Sequence, residues 1–318
     1  MSDILITGAY GFIGRHLSLH LTKLGHKVSG LGHGKWSYIE SNKWGVKKWL
    51  SDDINIKNLS KLYPKKKPDI IFHLAGGSTV SRAIHNPEED FFKNVTSANE
   101  LLEWVRLNSL KTKVVVASSA AVYGLGFTKP ISEDSICSPC SIYGKHKEEM
   151  ELLFHSYNKK YNIDFKIVRL FSVYGPELKK QLLWELCMRL MKKEAPLLLG
   201  GTGQELRDWT YIDDVVIALS FIGLDKTKQL KKSIINVGTG VGISVKQITN
   251  IIVDKWYDQE NLNKKPIIEF SGKKRQGDPF SLVADNTLLL KLNCSCKIKI
   301  TDGINSYIKW FKKLMDKK

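Results

Sequence analysis

Short apolar runs alternate with amphipathic stretches through the first half of the chain. The runs at 4–7, 27–31, 70–74, 114–118 and 165–171 have strand length and few polar interruptions. That pattern predicts strands buried on both faces. Between them, residues 12–24, 54–62, 88–107 and 143–160 place apolar side chains at helical spacing. Strand–helix alternation at this rhythm predicts an α/β fold, a Rossmann-like doubly wound parallel sheet with helices on both faces. From about Ser172 the rhythm loosens. Glycine turns appear at 200–203 and 238–240, a strand runs through Asn236, and a last helix falls near 304–317. We read residues 1–171 as the Rossmann domain and 172–318 as a smaller α/β lobe, interleaved with it and closing a cleft.

Composition narrows the class. The chain has 318 residues, 42% hydrophobic and 25% charged. This is enough apolar material for a large core and too much for extended disorder. No apolar run reaches the roughly 18 residues of a membrane span. The first seven residues enter a strand without the basic start and cleavage site of a signal peptide, so a cytoplasmic location is expected. The formal charge of +17 suggests an anionic partner: nucleic acid, a membrane surface or a phosphorylated metabolite. The lysines are dispersed, however, and the short runs at 65–67 and 273–275 have no interleaved aromatics. Neither nucleic acid nor membrane is expected as a partner. Cys137, Cys140, Cys187, Cys294 and Cys296 are too irregular for a disulfide framework. Cys137–Cys140 with Cys294 and Cys296 could supply four zinc ligands, but no second C-x-x-C supports this, and no metal is expected.

Two segments carry chemistry. Gly8, Gly11 and Gly14 follow the first strand directly and open the first helix. Glycines there let the backbone approach a pyrophosphate, and the helix N-terminus presents free N–H groups to it. Further on, Ser118-Ser119 ends a strand, and Tyr143 and Lys147 lie four residues apart on a helix. The i, i+4 spacing puts phenol and ammonium on one face. A nearby ammonium together with cofactor charge is expected to lower the phenol's pKa, making Tyr143 a usable acid or base, with Ser119 orienting the reacting oxygen.

The G-x-x-G-x-x-G spacing, the S-S-x-x-V-Y-G strand end and Y-x-x-x-K together resemble the extended short-chain dehydrogenases/reductases, and within them the NAD-dependent epimerase/dehydratase family. The likeness runs over nearly the whole chain, through 53–54, 73–76, 169–176, 207–214 and 236–238. It implies catalytic roles for Ser119, Tyr143 and Lys147. It implies a nicotinamide cofactor held by Gly8, Tyr10, Gly11, Phe12, Ile13, Gly14, Gly32, His33, Lys35, Asp53, Ile54, Leu74, Ala75, Gly76, Ser118, Tyr143 and Lys147. It implies a nucleotide-diphosphate sugar held by Ser78, Ser119, Ser172, Arg207 and Arg275, with the arginines on phosphate. It also implies a homodimer, paired through the 88–107 and Tyr143 helices.

Four departures from the family pattern shape the reading. Gly32 stands where an NAD-preferring member carries an acid, so NADP(H) is favoured over NAD(H), with His33, Lys35 or Arg15 meeting the 2′-phosphate. Ala120 and Ala121 replace an acidic pair needed for dehydration. Ser172 replaces a substrate-binding asparagine. Cys137 and Cys140 have no assigned role. The leading expectation is an epimerase acting through a 4-keto intermediate by hydride transfer at the sugar 4-position. The alternative is an NADPH-dependent 4-keto-sugar reductase. An alternative of another class is a non-catalytic nucleotide-binding Rossmann protein.

Overall fold

The structure is a computed structural model that describes residues 1–77, 79–225, 231–260, 264–273 and 279–316. Its strands are β1 (Asp3–Thr7), β2 (Lys27–Gly32), β3 (Val46–Ser51), β4 (Ile70–His73), β5 (Lys113–Ser119), β6 (Phe165–Leu170), β7 (Ser172–Tyr174), β8 (Leu197–Leu199), β9 (Leu206–Tyr211), β10 (Ile234–Val237), β11 (Gly242–Ser244), β12 (Ile268–Phe270) and β13 (Ser281–Leu282). Seven of them form one parallel sheet in the order β10-β6-β5-β4-β1-β2-β3. The order reverses at β1/β4, and ligands of open α/β sheets bind at the carboxyl ends of strands beside such a switch.

The strand runs read from the pattern are present, and their core residues Ile4, Ile6, Ile71, Val115 and Ile167 are fully buried. Two sheet strands were not among those runs. β3 is an edge strand whose Lys47 and Lys48 face solvent, so it has no continuous apolar run to detect. β10 joins the large sheet beside β6 from far along the chain. The chain therefore passes from the large sheet to the small lobe and back. Helices cover both faces. α1 (Phe12–Lys23) and the helix Ile212–Leu224 pack on one, and Ser97–Asn108 and Ile142–Tyr161 on the other.

The helix expected over 88–107 is not uniform. It is built from Pro87–Phe91, a π-helical turn Phe92–Thr96, and Ser97–Asn108. Such wide turns insert a residue into a helix and often occur at functional sites. The Tyr143 helix is regular. Ser141 caps it by accepting the Gly144 N–H at 3.1 Å, and Asn162 ends it in the left-handed region at φ 55°. No helix among the described residues is long and apolar enough to cross a membrane.

Several sequence landmarks are structural joints. Arg169 is buried and donates to Glu151 at 3.1 and 2.6 Å, over the Tyr123 ring. Tyr123 donates to Asn236 Oδ1 at 2.7 Å, and Asn236 Nδ2 donates to the Ile131 carbonyl at 2.8 Å. Asp208 accepts N–H groups from Thr239, Gly240 and Ala284 at 2.8–3.2 Å. It thereby ties β9 to the loops after β10 and β13. Buried charges must be satisfied in this way, which accounts for residue types that look functional in the bare sequence.

Candidate active site

One cavity of about 950 Å³ runs from the glycine loop to the small lobe. At the cofactor end, Gly8 N donates to the Leu31 carbonyl at 2.7 Å and Gly11 N to the Gly8 carbonyl at 2.9 Å, making a tight turn between β1 and α1. Gly8 sits at φ 71°, and a Cβ there would lie 2.8 Å from Ala75 N. On Gly14 a Cβ would strike the Gly8 carbonyl oxygen. α1 begins at Gly11 with no side-chain cap and no acid in its first turn. Its free N–H groups therefore suit a phosphate. The residues present fit a dinucleotide: Gly8, Tyr10, Gly11, Phe12, Ile13, Gly14, Gly32, His33, Asp53, Ile54, Leu74, Ala75, Gly76, Ser118, Tyr143 and Lys147 all line the cavity.

The adenosine end corrects the expectation of a 2′-phosphate site. Arg15 is committed elsewhere. It donates to Glu177 at 2.6 Å and to the Tyr10 carbonyl at 2.7 and 3.2 Å. It also lies against the rings of Tyr10, Trp36 and Trp44. Lys35 is exposed and outside the cavity wall. His33 Nε2 is hydrogen-bonded to Asp53 Oδ1 at 2.8 Å, which sets a carboxylate, not an open cationic site, beside the strand end. Gly32 itself is dictated by the backbone, at φ 143°, with a virtual Cβ 3.1 Å from Gly8 N.

At the centre, Ser119 ends β5 and Tyr143 and Lys147 share one face of their helix. The Ser119 hydroxyl lies close enough to the Tyr143 phenol to favour its ionised form. Lys147 Nζ donates to the Ala117 carbonyl at 3.0 Å and lies 6.0 Å from the centre of the Tyr143 ring. Burial pushes the phenol up to about 12, with Ser119 opposing this and Asp90 adding to it. The expected lowering by Lys147 is therefore not what the protein alone provides. Burial also brings Lys147 down to about 8, against the pull of Asp90 and Glu151. His73, fully buried and bonded through Nδ1 to Thr7 Oγ1 at 2.8 Å, is held at about 3 by burial and by Lys147. It is neutral and lies behind the cavity wall.

Sequence reasoning missed three residues here. Asn94, on the π-helical turn, is completely buried, and its Oδ1 has no partner among the described residues. It lies against Gly76, beside Lys147 Nζ. Its only signal was an asparagine inside a predicted helix, where it is a poor former. Asp90 is buried one turn earlier. At the substrate end, Trp209 lines the cavity with a buried indole N–H that has no partner among the described residues. Ser172 and Arg207 also line this end, and Arg207 donates to the Leu206 carbonyl at 2.8 Å. Cys140 lines the cavity, whereas Cys137 packs beside Tyr123 and Phe171. Ser78 and Arg275 lie outside the described residues.

A doubly wound sheet, a G-x-x-G-x-x-G turn at its switch point and a Ser–Tyr–Lys centre above β5 define an extended short-chain dehydrogenase/reductase. The family model of the NAD dependent epimerase/dehydratase family matches residues 4–238, and the chain belongs to that family. Among curated proteins it is 30% identical to an uncharacterized UDP-glucose epimerase of Bacillus subtilis (strain 168), over 98% of each chain. It is 28% identical to a UDP-glucuronate 4-epimerase of Thermodesulfobacterium geofontis (strain OPF15), over 98% of this chain and 97% of the other. Among solved structures, UDP-glucuronic acid 4-epimerase from Bacillus cereus, in complex with UDP-glucuronic acid and NAD, superposes with a TM-score of 0.85. That match has 28% identity and covers 98% of this chain and 99% of the other.

Proposed function

We propose that this protein is an NAD-dependent 4-epimerase of UDP-sugars. The observation that carries the reading is the grouping of Ser119 at the end of β5 with Tyr143 and Lys147 on one face of the neighbouring helix. The three sit midway along a cavity that has a phosphate-receiving glycine turn at one end and Arg207 at the other. NAD, when bound, accepts and returns the hydride and brings a positive charge in its oxidised form. Ser119 orients the sugar 4-hydroxyl, and Tyr143 takes and later returns its proton. Lys147 holds the cofactor's ribose, and Arg207 and Ser172 hold the diphosphate and sugar.

NAD is favoured over NADP for two reasons. The similar B. cereus enzyme carries NAD, and the His33–Asp53 pair places negative charge at the adenosine end. The reductase reading needs an exchanging NADPH, and no cationic pocket for its 2′-phosphate is found among the described residues at the adenosine end. A homodimer through the 87–108 and Tyr143 helices is consistent with exposed Phe91, Phe92 and Leu152, whereas Leu102, Met150 and Phe154 are core residues.

The test is to incubate purified protein with UDP-glucose and with UDP-glucuronate and resolve the 4-epimers by chromatography. Nucleotide released on denaturation is identified in parallel. The expected result is interconversion without added cofactor, no deuterium uptake at C4 from heavy water, and NAD in the released fraction. A protein that consumes NADPH with a 4-keto sugar and never epimerises would overturn the reading.

A further inference from the structure

A buried hydrogen-bonded pair that no step above uses lies between the helix Pro87–Phe91 and the Tyr143 helix. Asp90 Oδ2 is 2.8 Å from His146 Nδ1, and the two side chains are 5% and 13% exposed. His146 immediately precedes Lys147, and the Phe91 ring packs edge-on against its imidazole at 5.3 Å between centroids. The other Asp90 oxygen rests on Gly77, where a Cβ would fall inside it. On the preceding glycine, Gly76, a Cβ would meet Asn94 Oδ1 at 2.6 Å and Lys147 Nζ at 3.1 Å. Carboxylate, amide and ammonium thus pack on two consecutive glycines in the cavity wall, and the π-helical turn that follows Asp90 supplies the amide. Burying a carboxylate costs several kcal/mol unless it is paired. Here its partner is a histidine, whose Nδ1–H donates in the tautomer this geometry requires.

We propose that Asp90 and His146 are a positioning pair for the catalytic centre: the imidazole keeps the Asp90 carboxylate seated on Gly77, and the carboxylate held there stabilises the buried Lys147 ammonium. The groups facing Lys147 leave few other candidates. Glu151 acts on it but is held by two hydrogen bonds from Arg169. His73 is neutral, and the Tyr143 ring and the Ala117 carbonyl carry no charge. Asp90 is the acid acting on Lys147 whose carboxylate is paired with no arginine or lysine among the described residues.

The inference rests on Lys147 acting as proposed above, and the test separates the two. The Lys147 ammonium is titrated directly, without cofactor or substrate, through the ε-carbon shift of lysine-labelled protein, with Lys147→Met assigning the signal. The wild-type midpoint is expected near 8. Loss of a close opposite charge in Asp90→Asn is expected to lower it by about one pH unit or more. The alkaline limb of turnover should move with it, a roughly tenfold loss above the limb. His146→Leu strips the carboxylate of its donor and is expected to move the midpoint the same way, so the test survives if Asp90→Asn fails to fold. An unmoved midpoint in either folded variant overturns the proposal. If Lys147→Met remains fully active, the catalytic reading falls instead, whatever the midpoint does.

Discussion

The two ends of the cavity are built from different materials. The cofactor end is mostly backbone: Gly8, Gly14, Gly32 and Gly76 each stand where a Cβ would press on neighbouring backbone or on the site's polar groups. The substrate end is mostly side chains, Ser172, Arg207 and Trp209, carried on β7 and β9, strands of three and six residues. A surface of backbone can bind only what every dinucleotide shares, and any added atom deforms it. A surface of side chains can be changed one group at a time. The contrast implies an intolerant cofactor end and a tunable substrate end, with the Ser119–Tyr143–Lys147 centre serving both.

The sharpest way to break that picture is at the centre. Tyr143→Phe is expected to keep the fold and cofactor affinity while losing about 100- to 10,000-fold in turnover, because the ring stays and the transferable proton goes. Stopped-flow turnover alongside calorimetric NAD binding reads both. Retention of half the wild-type rate with chemistry limiting would remove Tyr143 from the mechanism.

Intolerance of the cofactor end is tested at Gly14. The alanine methyl would collide with the Gly8 carbonyl, and overpacking of this kind costs about 1–3 kcal/mol. Gly14→Ala is expected to melt several degrees lower and to bind NAD poorly. A variant with wild-type melting and affinity would show that the turn can yield.

Tunability of the substrate end is tested at Arg207. Arg207→Leu is expected to raise KM for the UDP-sugar about tenfold or more, the worth of a lost charge-assisted bond, with kcat and melting nearly unchanged. An equal fall in kcat would place Arg207 in the transition state instead.

The smallest effect is expected at the adenosine end. NAD should bind more tightly than NADP, and Asp53→Asn should narrow the gap by about fivefold, since one half-exposed carboxylate at about 4 Å in high dielectric contributes about 1 kcal/mol of repulsion. Competition between the two cofactors on the purified protein measures this. NADP preference in the wild type would mean that the His33–Asp53 pair opens on binding. Gly32→Asp is expected to destabilise rather than to improve NAD binding, because position 32 lies at φ 143° against Gly8.

What the sequence determined by itself was whatever is local. The strand–helix alternation follows from short-range periodicity, and the glycine turn and Tyr143/Lys147 pair each occupy one contiguous stretch, so their geometry follows from one helix or one turn. Tertiary structure decided the rest, because it depends on groups brought together from distant positions. Arg15 looked available for phosphate until Glu177, 162 residues away, was seen to hold it. The missing acid at Gly32 suggested an NADP site, but the strand end is shaped by Gly8 and flanked by Asp53. The Tyr143 phenol was expected to be lowered by its helix partner and the cofactor's charge together; in the protein alone burial, a property of the whole fold, raises it. Asp90, Asn94 and His146 were invisible as a group because it takes the packing of two helices on the Gly76–Gly77 backbone to make them neighbours. Spacing along a chain sets which face a side chain shares; only packing sets which charges it meets and how much water remains between them.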